Sequence, residues 1–598
     1  MSFFEELKRR NVIRVAIAYV VTAWLLIQVA ETIFPLFGFD DTPARITVIV
    51  LVVGFIPALI VAWVLEFTPD GIKFDSEVDH SAASQVKSGK RFDRVVIVLL
   101  AVAVTYFAVD KLIFSETREL QIAEEAREQG FADAQQDIID NRSVAVLPFV
   151  NLSAGEDNEY LSDGITEEIL NSLSRLPGLR VPGRTSSFAF RGSTESIQTI
   201  GEMLSVGTIL EGSVRRSGDK IRVTAKLIKV ADGYQLWSEN YDQEMTDIFE
   251  IQDNIARNIV DKLRITLVDT EIRTSPSRRA SDWKAYDLFL NGKYHAQRFS
   301  KNDLEEAIVY FEQALELEPD YARAYAGLAY AYGSLRYFGH VPPDTVTEEF
   351  RFSVKRALEL DDDLGDAHFS NGQLLYNTEW DFAGAEAAFE RAIELDPSNS
   401  WIRGLYAFLL ATTGRLDAAM QQAEQAEFLD DRSAAAIAQL GWMALYAGDN
   451  EAALDAADRA LAFGPNFVNA YELRGHAHFR AGRLAAGIAA MEEAVRISDF
   501  PIVLGTLGRM YGDTARTENA QAILNQLLER SEREYVPSAV IANVYVGLDE
   551  FEEANNWMQK AIADREGILV LLKVGGYPSD AENPYFPNWL DAIGLADF

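Results

Sequence analysis

The chain has no cysteine among its 598 residues and only six histidines. Disulfides, thiolate nucleophiles and cysteine-held metals are therefore excluded, although the absence does not decide the compartment. Basic charge is also scarce: 55 Lys and Arg face 91 Asp and Glu, for a net charge of −36 and an isoelectric point near 4.6. Phosphate neutralisation needs a basic face, so nucleic acid is excluded as a partner. Several chemical motifs fail on inspection. Gly89-Lys90-Arg91 lacks the glycine pattern and the final hydroxyl of a phosphate loop. No His-Glu-x-x-His or Gly-x-Ser-x-Gly occurs. His476 and His478, two apart on a helix, point in different directions. Asp361-Asp362-Asp363 opens like a calcium loop but meets Asp366 where glycine is required and Gly372 where glutamate is required. No catalytic, cofactor-binding or metal-ligating residue is assigned.

Long apolar runs, by contrast, are present at 15–34, 46–65 and 95–114. Each has the length of about 20 residues that a bilayer core demands, so three transmembrane helices are expected within 1–114. Lys8, Arg9, Arg10 and Arg14 precede the first run, and only Arg45 falls in 31–45. Lys73, Lys87, Lys90, Arg91 and Arg94 fall in 66–94. Basic residues stay on the cytoplasmic side, which places the N-terminus inside and the soluble domains in a bacterial periplasm, with the chain held in the inner membrane. The third run meets Asp110 and Lys111; if it lies along the interface, the soluble part moves to the cytoplasm. Residues 115–140, rich in Glu, Ala and Gln and free of proline, read as a helical stalk.

A small α/β domain is expected over 141–268. The run at 143–149 reads as a buried strand, and 179–182 as a short second one. The segments 207–216 and 221–230 are strand-like and joined by Ser217-Gly218-Asp219-Lys220, a hairpin signal. Asp232-Gly233 turns the chain into a further strand at 234–241, in which Trp237 is half-buried, and 248–263 closes the unit as an amphipathic helix. In the helix expected at 160–176, Ser162 or Asp163 is the cap, and Glu167 and Glu168 favour the macrodipole. That position explains the carboxylates without catalysis. Arg215-Arg216, beside the hairpin turn, reads as a solvated strand end.

From 284 to 566 the chain is helical and periodic. Ala392, Ala426, Ala460 and Ala494 recur at successive intervals of 34, the period of a helix–turn–helix unit that cannot bury its apolar face alone. Gly327, Gly372, Gly441 and Gly475 mark close helix approaches, and Pro319, Pro397 and Pro465 follow second helices. About eight repeats are expected, with an insertion at 333–347 carrying Pro342-Pro343, and 567–598 as a C-terminal cap.

Two resemblances follow. The C-terminal half resembles tetratricopeptide solenoids. Residues 142–265 resemble the TolB amino-terminal-like (FlgO-like) domain through the runs at 143–149, 163–169, 210–216 and 236–239. These resemblances imply assembly or signalling by contact, with no family catalytic residues to carry over. The expected function is a non-enzymatic, membrane-embedded scaffold that binds protein or peptide partners in the repeat groove. Tyr325, Tyr332, Asn371, Trp442 and Tyr471 are named as partner contacts, because aromatic side chains dominate interface energetics. A homo-oligomer is left open. The alternatives are a transmembrane regulator that signals ligand binding across the inner membrane, and an enzyme with an unrecognised site in the α/β domain.

Overall fold

In a computed structural model, the described residues are parts of 12–27, then 42–68, 71–74, 142–153, 158–176, 178–263, 280–575, 583–596 and 598. The chain divides into two compact units, 1–134 and 135–598. In the first, α1 (Thr42–Val64) carries Pro57 and gives way to a hairpin of β1 (Leu65–Thr68) and β2 (Gly71–Phe74). Tyr19 donates its hydroxyl to the Leu51 carbonyl at 2.7 Å and packs on Phe55.

The fold class with three transmembrane helices is corrected here: among the described residues, no helix is long and apolar enough to cross a membrane. Pro57 inside α1 has no N–H to give to the preceding turn, so the apolar run there is not backed by an unbroken hydrogen-bond ladder. The run at 46–65 ends in the hairpin at Leu65. The run at 95–114 and the stalk at 115–140 lie outside the described residues. The inner-membrane localisation rested on those spans and is withdrawn with them.

In the second unit the turn residues set the sheet. Gly218, at φ +62°, supplies the left-handed first position of a two-residue turn between β5 (Thr208–Ser217) and β6 (Lys220–Lys229), which pair antiparallel. β7 (Gln235–Glu244) extends the sheet antiparallel to β6, whereas β3 (Val144–Val146) and β4 (Val150–Asn151) both pair parallel to β5. Alternation sorts the side chains. Val146, Leu210, Val223 and Leu227 face α2 (Glu159–Ser174) and α5 (Ile248–Lys262). Ala145, Ile209 and Val230 face the other way, against Phe190 and Leu204 next to the short helices α3 (Arg184–Phe188) and α4 (Ile197–Met203). Two expectations fail locally. The 179–182 segment makes only an isolated bridge, Ser143 to Arg180. The helix starts at Glu159 after Asn158, so Ser162 and Asp163 lie inside it, buried.

Eight helix pairs follow among the described residues. The first helices are α6 (Trp283–Ala296), α8 (Ala322–Tyr337), α10 (Gly365–Leu374), α12 (Ser400–Thr412), α14 (Ala434–Tyr446), α16 (Val468–Arg480), α18 (Pro501–Asp513) and α20 (Ser538–Gly547). Their partners are α7 (Lys301–Leu317), α9 (Thr347–Leu360), α11 (Phe382–Leu395), α13 (Leu416–Leu429), α15 (Asn450–Phe463), α17 (Leu484–Ile497), α19 (Thr517–Ser531) and α21 (Phe551–Ala563). The second-helix alanines Ala392, Ala426, Ala460 and Ala494 are fully buried. A Cβ on Gly441 would stand 2.4 Å from Leu473 and 2.8 Å from Ala456, so only glycine permits that approach. After α21 come α22 (Leu572–Gly575) and α23 (Phe586–Ala592).

Candidate functional site

The first helices repeat a simple geometry, with side chains three, four or seven apart stacking on one face. α8 presents Tyr330, Ser334 and Tyr337; α12 presents Trp401, Leu405 and Phe408; α14 presents Trp442 and Tyr446; α16 presents Glu472, His476 and Arg480. These faces meet. The Trp401 ring is 5.9 Å from Phe299, Phe408 is 6.2 Å from Tyr446, and Trp442 is 5.8 Å from Tyr446 and 5.2 Å from His476. A cavity of about 10 Å³, lined by Phe299, Tyr330, Tyr337, Phe338, Trp401 and Leu405, is left between them. Burial dominates the electrostatics. It pushes the Glu472 carboxyl up to about 7 against the opposing bond from Asn469, and the Tyr337 phenol up to about 12 with Glu472 adding to the effect. Burial, reinforced by Arg480, pushes His476 down to about 3. Trp442 Nε1 donates to Asn469 Oδ1 at 3.0 Å. The arrangement is an aromatic face with a neutral histidine and a carboxyl poised near neutrality, suited to binding.

The ends of these first helices receive the C-terminal residues. Arg336 Nη1 donates to the Asn377 carbonyl at 3.0 Å, and its Nη2 to the Arg565 carbonyl. Arg480 donates to the Leu445 carbonyl at 2.9 Å and the Val574 carbonyl at 2.8 Å. Arg565 lies over the Trp380 ring at 4.9 Å and donates to the Thr378 carbonyl. The Phe598 ring reaches Phe382 at 5.7 Å.

The length of α6, the start of α8 and the end of α13 seat the α/β domain. Glu168 takes both arms of Arg323, at 2.9 and 2.5 Å, while the Arg323 guanidinium lies over Phe289. Glu167 accepts from Arg184, from Lys293 at 2.8 Å and from Gln297 at 3.1 Å. Burial alone would raise the Glu167 carboxyl, but Lys293 and Arg184 outweigh it and hold it down at about 2. Arg216 is no solvated strand end: it bonds Asp287 at 3.0 Å and Tyr160 at 3.2 Å and stacks on Trp283. Farther along, Ser186 N donates to Asp430 Oδ1 at 2.7 Å and Gly183 N to the Leu429 carbonyl at 2.8 Å. The carboxylates of α2 thus hold the domain against the repeats.

Of the five expected contact residues, Trp442 lies on the shared first-helix face. Tyr325 packs edge-on against Phe352 at 6.1 Å. Tyr332 sits among the α8 and α9 side chains Ala329, Phe350 and Val354, its phenol raised to about 12 by burial and by Glu312 and Glu349. Asn371 lines an open depression of about 450 Å³ with Arg351, Lys355 and Leu358. Tyr471 donates to the Pro465 carbonyl at 3.2 Å, under Arg474. The same face also carries Tyr337, Glu472 and His476, which the sequence analysis does not name as contacts; the i, i+4 spacing of Glu472, His476 and Arg480 is the signal that aligns them. His295, Asp303 and Glu306 bring three ligand atoms within 4.8 Å of one another. His295 Nδ1 lies 3.2 Å from Asp303 and 3.0 Å from Glu306, and Arg298 adds a cation to the cluster at 3.6 Å.

Residues 297–335 match a TPR repeat model, and 379–440 and 439–500 match tetratricopeptide repeat models. Residues 140–270 match the model for the second domain of HilA/YgeH-like transcriptional regulators. A protein of Rhizobium meliloti (strain 1021), provisionally named adenylate cyclase 3, is 36% identical over 230 residues, or 38% of this chain and 39% of that protein. The chain thus spans about two-fifths of the length of that curated relative. A thermophilic TPR protein from Thermus thermophilus is similar over 33% of this chain and 98% of its own, at 16% identity and a TM-score of 0.28. Pseudomonas aeruginosa pilF is similar over 39% of this chain and 96% of its own, at 17% and 0.28. YrrB, titled a TPR protein with an unusual peptide-binding site, is similar over 31% of this chain and 90% of its own, at 26% and 0.22.

Proposed function

We propose that this chain, whose C-terminal part carries tetratricopeptide repeats, is a non-enzymatic interaction scaffold that takes a protein or peptide partner on the shared first-helix face. The observation that carries the reading is the convergence of Trp442, Tyr446 and His476 with the half-buried Glu472 on neighbouring first helices. Large, stiff aromatic side chains give contact area at little entropic cost, which is the usual source of interface hot spots. Glu472 and the acidic composition favour a partner with basic residues. The α/β domain, tied to the repeats through Glu167, Glu168 and Arg216, serves as a second docking module of the TolB amino-terminal-like kind.

A second reading makes the same two parts the contact-sensing portion of a regulator. The match of 140–270 to a domain of transcriptional regulators favours it. Affinity capture with the full chain, followed by purification of each captured protein and direct titration, tests the first reading. The double variant Trp442→Ala, Tyr446→Ala is expected to lose those interactions. Equal affinity of parent and variant for every purified partner overturns the first-helix face as the site.

A further inference from the structure

The residues after the eighth helix pair do more than close it. At Arg565 the backbone enters the left-handed region, at φ +52°. Glu566 then anchors the chain by accepting from Ser538 N at 2.6 Å, Ala539 N at 2.9 Å and the Tyr535 hydroxyl at 3.1 Å. From that anchor, 567–575 runs along the ends of the first helices. Leu569 and Val570 are buried in the same apolar cluster as Ile402, Tyr406 and Trp442. Contacts reach α8, α12 and the turn that follows α10. A solenoid cap has only to cover the last pair, so a return to the second, third, fourth and sixth pairs is more than capping requires.

The polar contacts repeat one pattern. Arg336 and Arg480 each give one guanidinium N–H to a carbonyl of the repeats, Asn377 or Leu445, and another to a carbonyl of the C-terminal segment, Arg565 or Val574. Arg336 is 4% exposed, so an N–H stripped of its acceptor there would be costly. The buried Arg336 and the half-buried Arg480 thus take carbonyls of Arg565 and Val574, which flank a short apolar turn, Ile568-Leu569-Val570-Leu571-Leu572; the arrangement amounts to a receptor already holding a peptide.

We infer that residues 565–575 are an internal ligand of the first-helix face, and that a partner peptide of the same chemistry binds by displacing them: a short apolar turn, neutral or basic, with main-chain carbonyls free to meet Arg336 and Arg480. This rests on the scaffold reading and adds to it both the class of partner and the way its access is controlled. A site occupied in cis binds an outside ligand more weakly by the fraction of time it is free.

The test uses the full chain and a labelled peptide of residues 565–575 as probe. In the variant Leu569→Asp, Val570→Asp the segment is expected to leave its seat, and the probe to bind about tenfold or more tighter than it binds the parent chain. Adding Arg336→Met and Arg480→Met to that variant should remove the gain. Hydrogen exchange supplies a second arm on the otherwise unaltered chain, where Arg336→Met, Arg480→Met should speed exchange in 567–575 while leaving α10 to α17 as in the parent. Equal probe affinity for parent and aspartate variant overturns the inference. So does exchange in α10 to α17 rising together with that in 567–575, because the segment would then be part of the repeat core. Neither result touches the scaffold reading, which fails only if the Trp442 and Tyr446 variant keeps its purified partners.

Discussion

Replacing Glu167 by glutamine probes the contact that holds the α/β domain to the repeats. The side chain is 6% exposed and faces Lys293 at 2.8 Å and Arg184. Burial opposes its ionisation, yet the two cations hold the carboxyl at about 2 against an ordinary 4.5. At about 1.4 kcal/mol per pH unit, that difference corresponds to roughly 3 kcal/mol in favour of the folded, ionised form. A depressed carboxyl contributes its stability in full above its unfolded value of 4.5 and loses it as pH falls toward about 2. Glutamine keeps the shape and removes the charge, and Lys293 is left with Glu168 at 3.9 Å. Glu167→Gln should therefore destabilise the docked domain by roughly 3 kcal/mol near pH 7, and by less than half of that near pH 3. Urea unfolding of the full chain near both pH values, read by exchange labelling of α2 and α6, gives the two numbers. Other carboxyls titrate in both proteins and cancel in the difference. A cost below about 1 kcal/mol, or one that does not change with pH, would refute the assignment of Glu167 as the charged centre of the contact.

Three further expectations concern the repeats. Gly441→Val places a side chain against Leu473 and Ala456 and should cost about 1–3 kcal/mol in chemical unfolding; an unchanged midpoint would contradict the close approach. Ala392→Arg puts an unpaired charge at a fully buried position, and should lower the thermal transition by several degrees or more, whereas unchanged melting would contradict the register of α11. His476, held down at about 3 by burial and Arg480, should remain neutral between about pH 5 and 8; an imidazole titration midpoint near 6.5 would mean the face is open to water.

Features set by neighbouring residues are legible in the sequence. Interval-34 alanines announce the repeats because every second helix must bury a small residue at the same place, and Ala392, Ala426, Ala460 and Ala494 are all fully buried. Gly218 announces the β5–β6 turn because few other residues adopt its φ. The missing information is non-local. Glu168 and Arg323 are 155 residues apart, Arg336 and Arg565 229 apart, and nothing near either position signals its partner. Side-chain direction is the other thing a one-dimensional pattern leaves open: a first helix carries aromatic side chains both toward its own second helix and toward the other first helices, and one residue turns the direction by about 100°, so Tyr471 stands beside Glu472 and Tyr332 on the α9 side. The apolar runs near the N-terminus record composition, and composition alone does not fix spanning helices.

If a partner is held on the first-helix face, hydrogen-exchange footprinting of the full chain with a purified captured partner shows it directly. Exchange should slow in α8, α14 and α16 around Tyr337, Trp442 and His476, and quicken in 567–575 as the internal segment is displaced. Protection confined to the second helices or to the α/β domain, with those three first helices unchanged, would contradict it.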